Sequence, residues 1–248
     1  MDPYQLLTER FTLDNKPLLL SATFSFAIGY LQYVYAIRLT LREGKGPIPF
    51  WMHQFYLAHD STWAYLLNGA ASRHDEHWFL RGTSTALLLW TCLEVFCIHR
   101  SVFKDRETTF SSLLGPNSSS RSVLQYTILM QLGMYSIVVL LILLIGEGCL
   151  MQWFCLTNVL IVIGPIHEYL RRGSRQGLSL GFCLVNVACV VWTFTPFSFW
   201  VLSIPEIFDQ RAYYTIGLIL GLCSIWAYLI VARYPPKTPR KDGKAPIW

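Results

Sequence analysis

Asp60, Glu94 and Glu168 are carboxylates set in long apolar runs, and His53 and His59 lie within seven residues of the first of them. An ionisable group in lipid costs a few kcal/mol and marks a functional candidate by default. A carboxyl group deprived of water favours its neutral form, and a neutral carboxylic acid can donate a proton. Asp60 is therefore the candidate general acid. His53, Tyr56 and Asp60 share one helical face through spacings of three and four residues. His59 adjoins Asp60 but projects about 100° around a helix, so it reads as a packing or hydrogen-bonding histidine rather than a partner on that face. Pairing of Asp60 with His59 or His53 is the purely structural alternative.

Depth follows from a helical rise of about 1.5 Å per residue. A helix entering from the cytosol at Ile48 carries His53 roughly 8 Å in and Asp60 about 10 Å deeper, near mid-membrane. Glu94, His167 and Glu168 fall close to cytosolic helix ends, so Glu94, Glu168 and His53 are expected to form one layer. The alternative for the two glutamates is pairing with Arg100, Arg171 or Arg172. Asn158 and Asn186 reach the depth of Asp60, and together these groups imply a polar cavity open toward the cytosolic leaflet.

Trp63, Trp90, Trp192 and Trp226 sit mid-helix, away from the interfacial belts where tryptophan usually collects. Their ring faces suit a developing cation. An acid with aromatic walls is the apparatus of carbocation chemistry, and it needs no metal or redox cofactor. Convergence of His53, His59, Asp60 and His167 on zinc is the competing arrangement, but no helix offers two histidines three or four residues apart.

The elements that must position these groups are transmembrane helices. The 248 residues are 53% hydrophobic and only 14% charged, which makes lipid the solvent for most of the chain. Stretches of about 20 apolar residues predict seven helices over 17–38, 48–67, 78–98, 122–145, 149–170, 178–202 and 212–232. Fifteen Lys and Arg residues fall on one side of that pattern and five on the other. The richer side is cytosolic by the positive-inside rule, so the N-terminus is lumenal and the C-terminus cytosolic. The formal charge of +5 is then a topology signal, and no nucleic-acid partner is expected.

The first sixteen residues hold Asp2, Glu9 and Asp14 and no basic n-region, so the first helix is expected to serve as an uncleaved signal anchor of the endoplasmic reticulum or another endomembrane. All seven cysteines lie inside predicted helices, which predicts neither disulfides nor a zinc site. The sequon Asn117-Ser118-Ser119 falls in a cytosolic loop and should stay unmodified. The loop 99–121 reads as a flexible Ser/Gly/Pro connector, and 234–248 as a disordered, basic, Pro-rich cytosolic tail beyond a single domain of residues 1–233. Leu31-Gln32 and Pro165-Ile166 each precede a basic loop and an apolar helix, which suggests parallel repeats in a three-plus-one-plus-three arrangement.

The run Arg172-Gly173-Ser174-Arg175-Gln176-Gly177-Leu178-Ser179 resembles a pattern shared by two families. The first is the paxilline-type integral membrane terpene cyclases of fungal meroterpenoid and indole-diterpene pathways, secondary-metabolic proteins of this length with seven helices. Ala58-His59-Asp60 looks like their Ala-Trp-Glu stretch in the second helix. The resemblance implies that Asp60 belongs to the apparatus that protonates the epoxide or terminal olefin of a prenylated, polar-headed substrate. That family's second acid lies in its last helix, whereas 212–232 contains no carboxylate, leaving Glu94 or Glu168 for the role. The second family is the PQ-loop and sugar-exporter transporters: Pro165-Ile166 keeps the proline of their Pro-Gln pair and Leu31-Gln32 the glutamine. A lipid double-bond isomerase would also need a buried acid and aromatic walls.

Overall fold

The computed structural model describes residues 4–237 and 245–248. Helix makes up 80% of the described residues, with no strand among them, which settles the class as all-α. The helices are α1 (Gln5–Arg10), α2 (Lys16–Glu43), α3 (Phe50–Arg73), α4 (Trp78–Phe103), α5 (Arg106–Leu114), α6 (Ser120–Ile145), α7 (Leu150–Arg172), α8 (Leu180–Thr193), α9 (Phe199–Ser203), α10 (Pro205–Phe208) and α11 (Arg211–Arg233). Among the described residues, five helical segments are long and apolar enough to cross a membrane: Lys16–Glu43, Trp78–Phe103, Ser120–Ile145, Glu147–Arg172 and Arg211–Arg233. This is a membrane protein by the length and composition of its helices. α3 has the length, at 24 residues, but carries His53, Gln54, His59, Asp60 and Arg73.

Two compact units make up the chain. The first comprises residues 1–14 and 50–153, and the second 15–49 and 154–248. In the first, α3 packs along α4 and α6, and α5 closes against both α4 and α6. In the second, α2 packs on α8 and α9, and α8 on α11. This grouping differs from the expected three-plus-one-plus-three repeat, because α2 joins the later helices rather than α3 and α4.

Local chemistry explains most boundaries. Gly44 ends α2 at φ 72°, and Pro47 and Pro49 lie in the non-helical segment, bent at residues 47 and 48, that precedes α3. Ser119 and Ser179 cap α6 and α8 by accepting the backbone N–H of Ser122 and Phe182. Such a cap contributes about 1 kcal/mol. The expected helix over 178–202 is broken: α8 stops at Thr193, and Ser198 caps α9 through the Val201 N–H. Pro196 supplies the reason, since it lacks an N–H and disfavours helical backbone at Thr195.

The connector 99–121 is also more ordered than its composition suggests. α5 occupies its centre, and Phe110, 0% exposed, packs with Phe50, Val102 and Val123. Fully burying one such ring is worth about 1.5–3 kcal/mol against water. At the other end of the unit, Phe11 stacks on Phe79 at 3.5 Å, and Trp78 donates its indole N–H to the Phe11 carbonyl.

The tail residues on either side of 238–244 are held by the second unit. Lys237 pairs with Glu43 at 2.7 Å, Arg42 donates to the Ala245 carbonyl, and Ile247 is buried. The Trp248 carbonyl accepts from Ser179 and from the Gly181 N–H. The expected disorder of 234–248 therefore does not extend to these residues, and 238–244 lie outside the described residues.

Candidate functional site

α3 places His53, Tyr56, Asp60, Trp63 and Leu67 on one face at steps of three and four residues, and all five are buried. Buried hydrogen bonds fix this helix against α4. His53 Nδ1 meets Glu94 Oε2 at 2.5 Å, and Ser84 Oγ donates to the Ala64 carbonyl at 2.7 Å. The position rises by eleven along α3 (53 to 64) as it falls by ten along α4 (94 to 84), which makes the pair antiparallel.

The opposite flank of α3 lies against α6 in parallel. Gln54 donates to the Thr127 carbonyl, Gln131 donates to the Gln54 carbonyl, and the Ser61 and Tyr135 hydroxyls are 2.8 Å apart. α3 is thereby held in register on two sides by polar contacts that lipid cannot replace.

Asp60 does not stand alone. Its Oδ1 is 2.7 Å from His59 Nδ1, and both side chains are buried. This is the alternative role that the sequence left for Asp60, a pairing with His59. Its Nδ1 is only two bonds beyond Cβ, so a rotation about the side chain brings the ring back to its neighbour's carboxylate despite the 100° offset. The His59 ring lies 5.5 Å from Trp153 and 6.2 Å from Phe55, and those two rings are 6.1 Å apart. An acid–imidazole pair thus abuts an aromatic cluster within the first unit.

The remaining expected residues divide. Glu94 is 0% exposed and joins His53, as the depth estimate implied. Trp63 is 0% exposed and its indole N–H has no hydrogen-bond partner among the described residues. Trp90 is half-buried on α4.

Glu168 belongs to the second unit and bonds Arg171 and Arg172 at 3.0 Å, the arginine pairing that was the alternative for this residue. Asn186 there accepts from Gln32 at 2.9 Å and donates to the Ile161 carbonyl, while Asn158 donates to Thr193. Trp192 donates to Ser25 and meets Phe24 edge-on. Trp226 is 47% exposed on α11, an outward placement that does not suit the wall of a cavity.

Phe55 and Trp153 are the residues that reasoning from sequence missed. Trp153, at the start of α7, carries the signature of an interfacial belt residue, and only the contact with His59 distinguishes it. His53 and His59 turn to separate carboxylates, and among the described residues no three His, Cys, Asp or Glu side chains converge as metal ligands would.

Outside the spans, the Arg81 hydrogen bond holds the Glu76 carboxyl below its ordinary range. Burial lowers the Lys237 ammonium although Glu43 opposes the effect. Compared with known proteins, the chain matches no family model, no curated protein and no solved structure.

Proposed function

We propose that the first unit is the active site of a membrane terpene cyclase, in which Asp60 protonates a prenylated, polar-headed substrate to start carbocation cyclisation. The observation that carries this reading is the buried Asp60–His59 pair beside Phe55 and Trp153. With His59 Nδ1–H donating to Oδ1, a proton on the other carboxyl oxygen is free to leave. His59 then steadies the carboxylate left behind. Aromatic faces stabilise the cation and exclude the water that would trap it early. The reaction is an isomerisation or ring closure by proton transfer and draws on the chain's own residues.

In the same reading, α2, α3, α4, α6, α7, α8 with α9, and α11 make seven crossings of an endomembrane such as the endoplasmic reticulum. The N-terminus is lumenal and the basic C-terminal residues are cytosolic, following the asymmetry of Lys and Arg. The partial likeness to the paxilline-type cyclases supports this reading through Ala58-His59-Asp60 and the basic run after α7. The helix grouping described above gives the parallel-repeat transporter alternative no added support.

The test is product analysis by mass spectrometry. Microsomes containing the protein are fed farnesylated and geranylgeranylated phenols or pyrones, with and without a terminal epoxide. The expected result is an isomer of unchanged mass with fewer double bonds and a new ring. A shifted double bond without a ring would favour a lipid isomerase. Transport of a solute into sealed vesicles, with no conversion of any substrate, would sink the cyclase reading.

A further inference from the structure

One buried acid suffices to start such a reaction, yet α3 carries two acid–imidazole pairs on its buried side. His53 and Asp60 are seven residues apart on the same face, about 10 Å along the axis. Both histidines turn Nδ1 toward a carboxylate, Glu94 at 2.5 Å and Asp60 at 2.7 Å. A carboxylate at Glu94 accepts from the Nδ1–H of His53 and leaves the basic lone pair of that ring on Nε2. Glu94 comes from a different helix, and its bond to His53 fixes which ring nitrogen is the base.

Resting on the cyclase reading, we infer that the two pairs are the two ends of one proton circuit: Asp60 starts the reaction, and His53, positioned by Glu94, ends it. At initiation the Asp60 O–H bond breaks. The proton is taken by the π electrons of the terminal double bond, or by an epoxide oxygen whose carbon–oxygen bond then opens. Inner double bonds close rings by giving their electrons to the cation. At the end a C–H bond beside the last cation breaks, its electron pair becomes a new double bond, and the proton passes to His53 Nε2. No electrons enter or leave.

While the cation exists, Asp60 and Glu94 are both carboxylates on the same buried side of the unit. Fixed negative charge of this kind favours the charge that develops in the transition state. After product forms, the proton sits on the wrong pair. Tyr56 lies three residues after His53 and four before Asp60 on their shared face, and its phenol both donates and accepts. It supplies the return path that resets the site.

The experiment follows products and turnovers of His53→Gln, Glu94→Gln, Glu94→Asp and Tyr56→Phe beside Asp60→Asn, each at matched membrane abundance. In His53→Gln, substrate consumption stays within about tenfold of wild type, whereas loss of the initiating acid costs about 10²–10⁴-fold. The native product gives way to other double-bond isomers and to a product heavier by one water. Glu94→Gln shifts products the same way, and Glu94→Asp restores the native one. Tyr56→Phe slows the turnovers after the first about tenfold or more beyond its effect on the first.

An unchanged product mixture in His53→Gln overturns the inference. So does a Tyr56→Phe enzyme that loses its first turnover with the rest, and this variant keeps the buried pairs intact if His53→Gln fails to fold. Absence of any ring-closed product from wild type overturns the cyclase reading itself, and the circuit with it.

Discussion

The two units differ in the kind of polarity they bury. The first holds ionisable pairs in its interior, His59–Asp60 midway along α3 and His53–Glu94 near the start of that helix. The second holds amides and hydroxyls there, with Gln32, Asn186, Asn158, Thr193 and Tyr213 linked to one another or to backbone carbonyls. Its ion pairs, Glu43–Lys237 and Glu168 with Arg171 and Arg172, sit at helix ends. Neutral polar contacts join helices at modest cost, whereas ionisable groups at membrane depth are retained for what their protons do. On the cyclase reading proposed above, chemistry belongs to the first unit and scaffolding to the second.

Substitutions can break that contrast, and the largest expected effect is in the first unit. Asp60→Asn keeps shape and removes the transferable proton, so turnover should fall by about 10²–10⁴-fold or more with unchanged membrane abundance. Retained activity would remove Asp60 from the mechanism. Asn186→Leu in the second unit should act oppositely. It strands the Gln32 amide and the Ile161 carbonyl, at about 1–3 kcal/mol for each group, and lowers the unfolding temperature in detergent while the folded fraction keeps its rate. A rate loss as deep as that of Asp60→Asn would erase the distinction.

Glycines sharpen the comparison at smaller scale. A Cβ on Gly217 would come within 2.2 Å of Phe194 Cβ, so Gly217→Ala should destabilise the second unit by about 1–3 kcal/mol. Gly133 of α6 has open space around it, and Gly133→Ala should gain about 0.5–1 kcal/mol from the helix itself. Thermal unfolding of the two variants in one detergent checks both signs.

The smallest effect is a pH dependence. Burial lowers the Lys237 ammonium from its unfolded value of 10.5. Between the lowered value and 10.5 the unfolded chain binds more protons than the folded one, so stability contributed by this site rises with pH across that window. Lys237→Met should flatten the rise, and an identical pH profile would show that the clasp with Glu43 contributes nothing.

The parts legible in the sequence were those set by spacing. The stripe His53, Tyr56, Asp60 and the shared depth of His53 and Glu94 follow from helical rise alone. Trp226 was not legible, because lipid is as apolar as a helix interior, and the pattern that separates inside from outside in water disappears. The break after α8 was masked by apolar residues on both sides of Pro196, and α5 by the serines around Phe110. The pairing of His59 with Asp60 was legible only as an alternative, because a periodicity argument places Cβ atoms, and hydrogen bonds are made by atoms that can swing beyond them.

Pro165 lies inside α7 and has no N–H for the carbonyl four residues earlier, Ile161, which Asn186 of α8 takes instead. A proline in mid-helix commonly leaves an acceptor for water or a neighbouring helix to visit, and with it a point of give. Here the acceptor is already occupied by an amide that Gln32 holds from behind. The weak link of α7 has become a splint, and the loop of arginines that follows it is carried on a stiff arm.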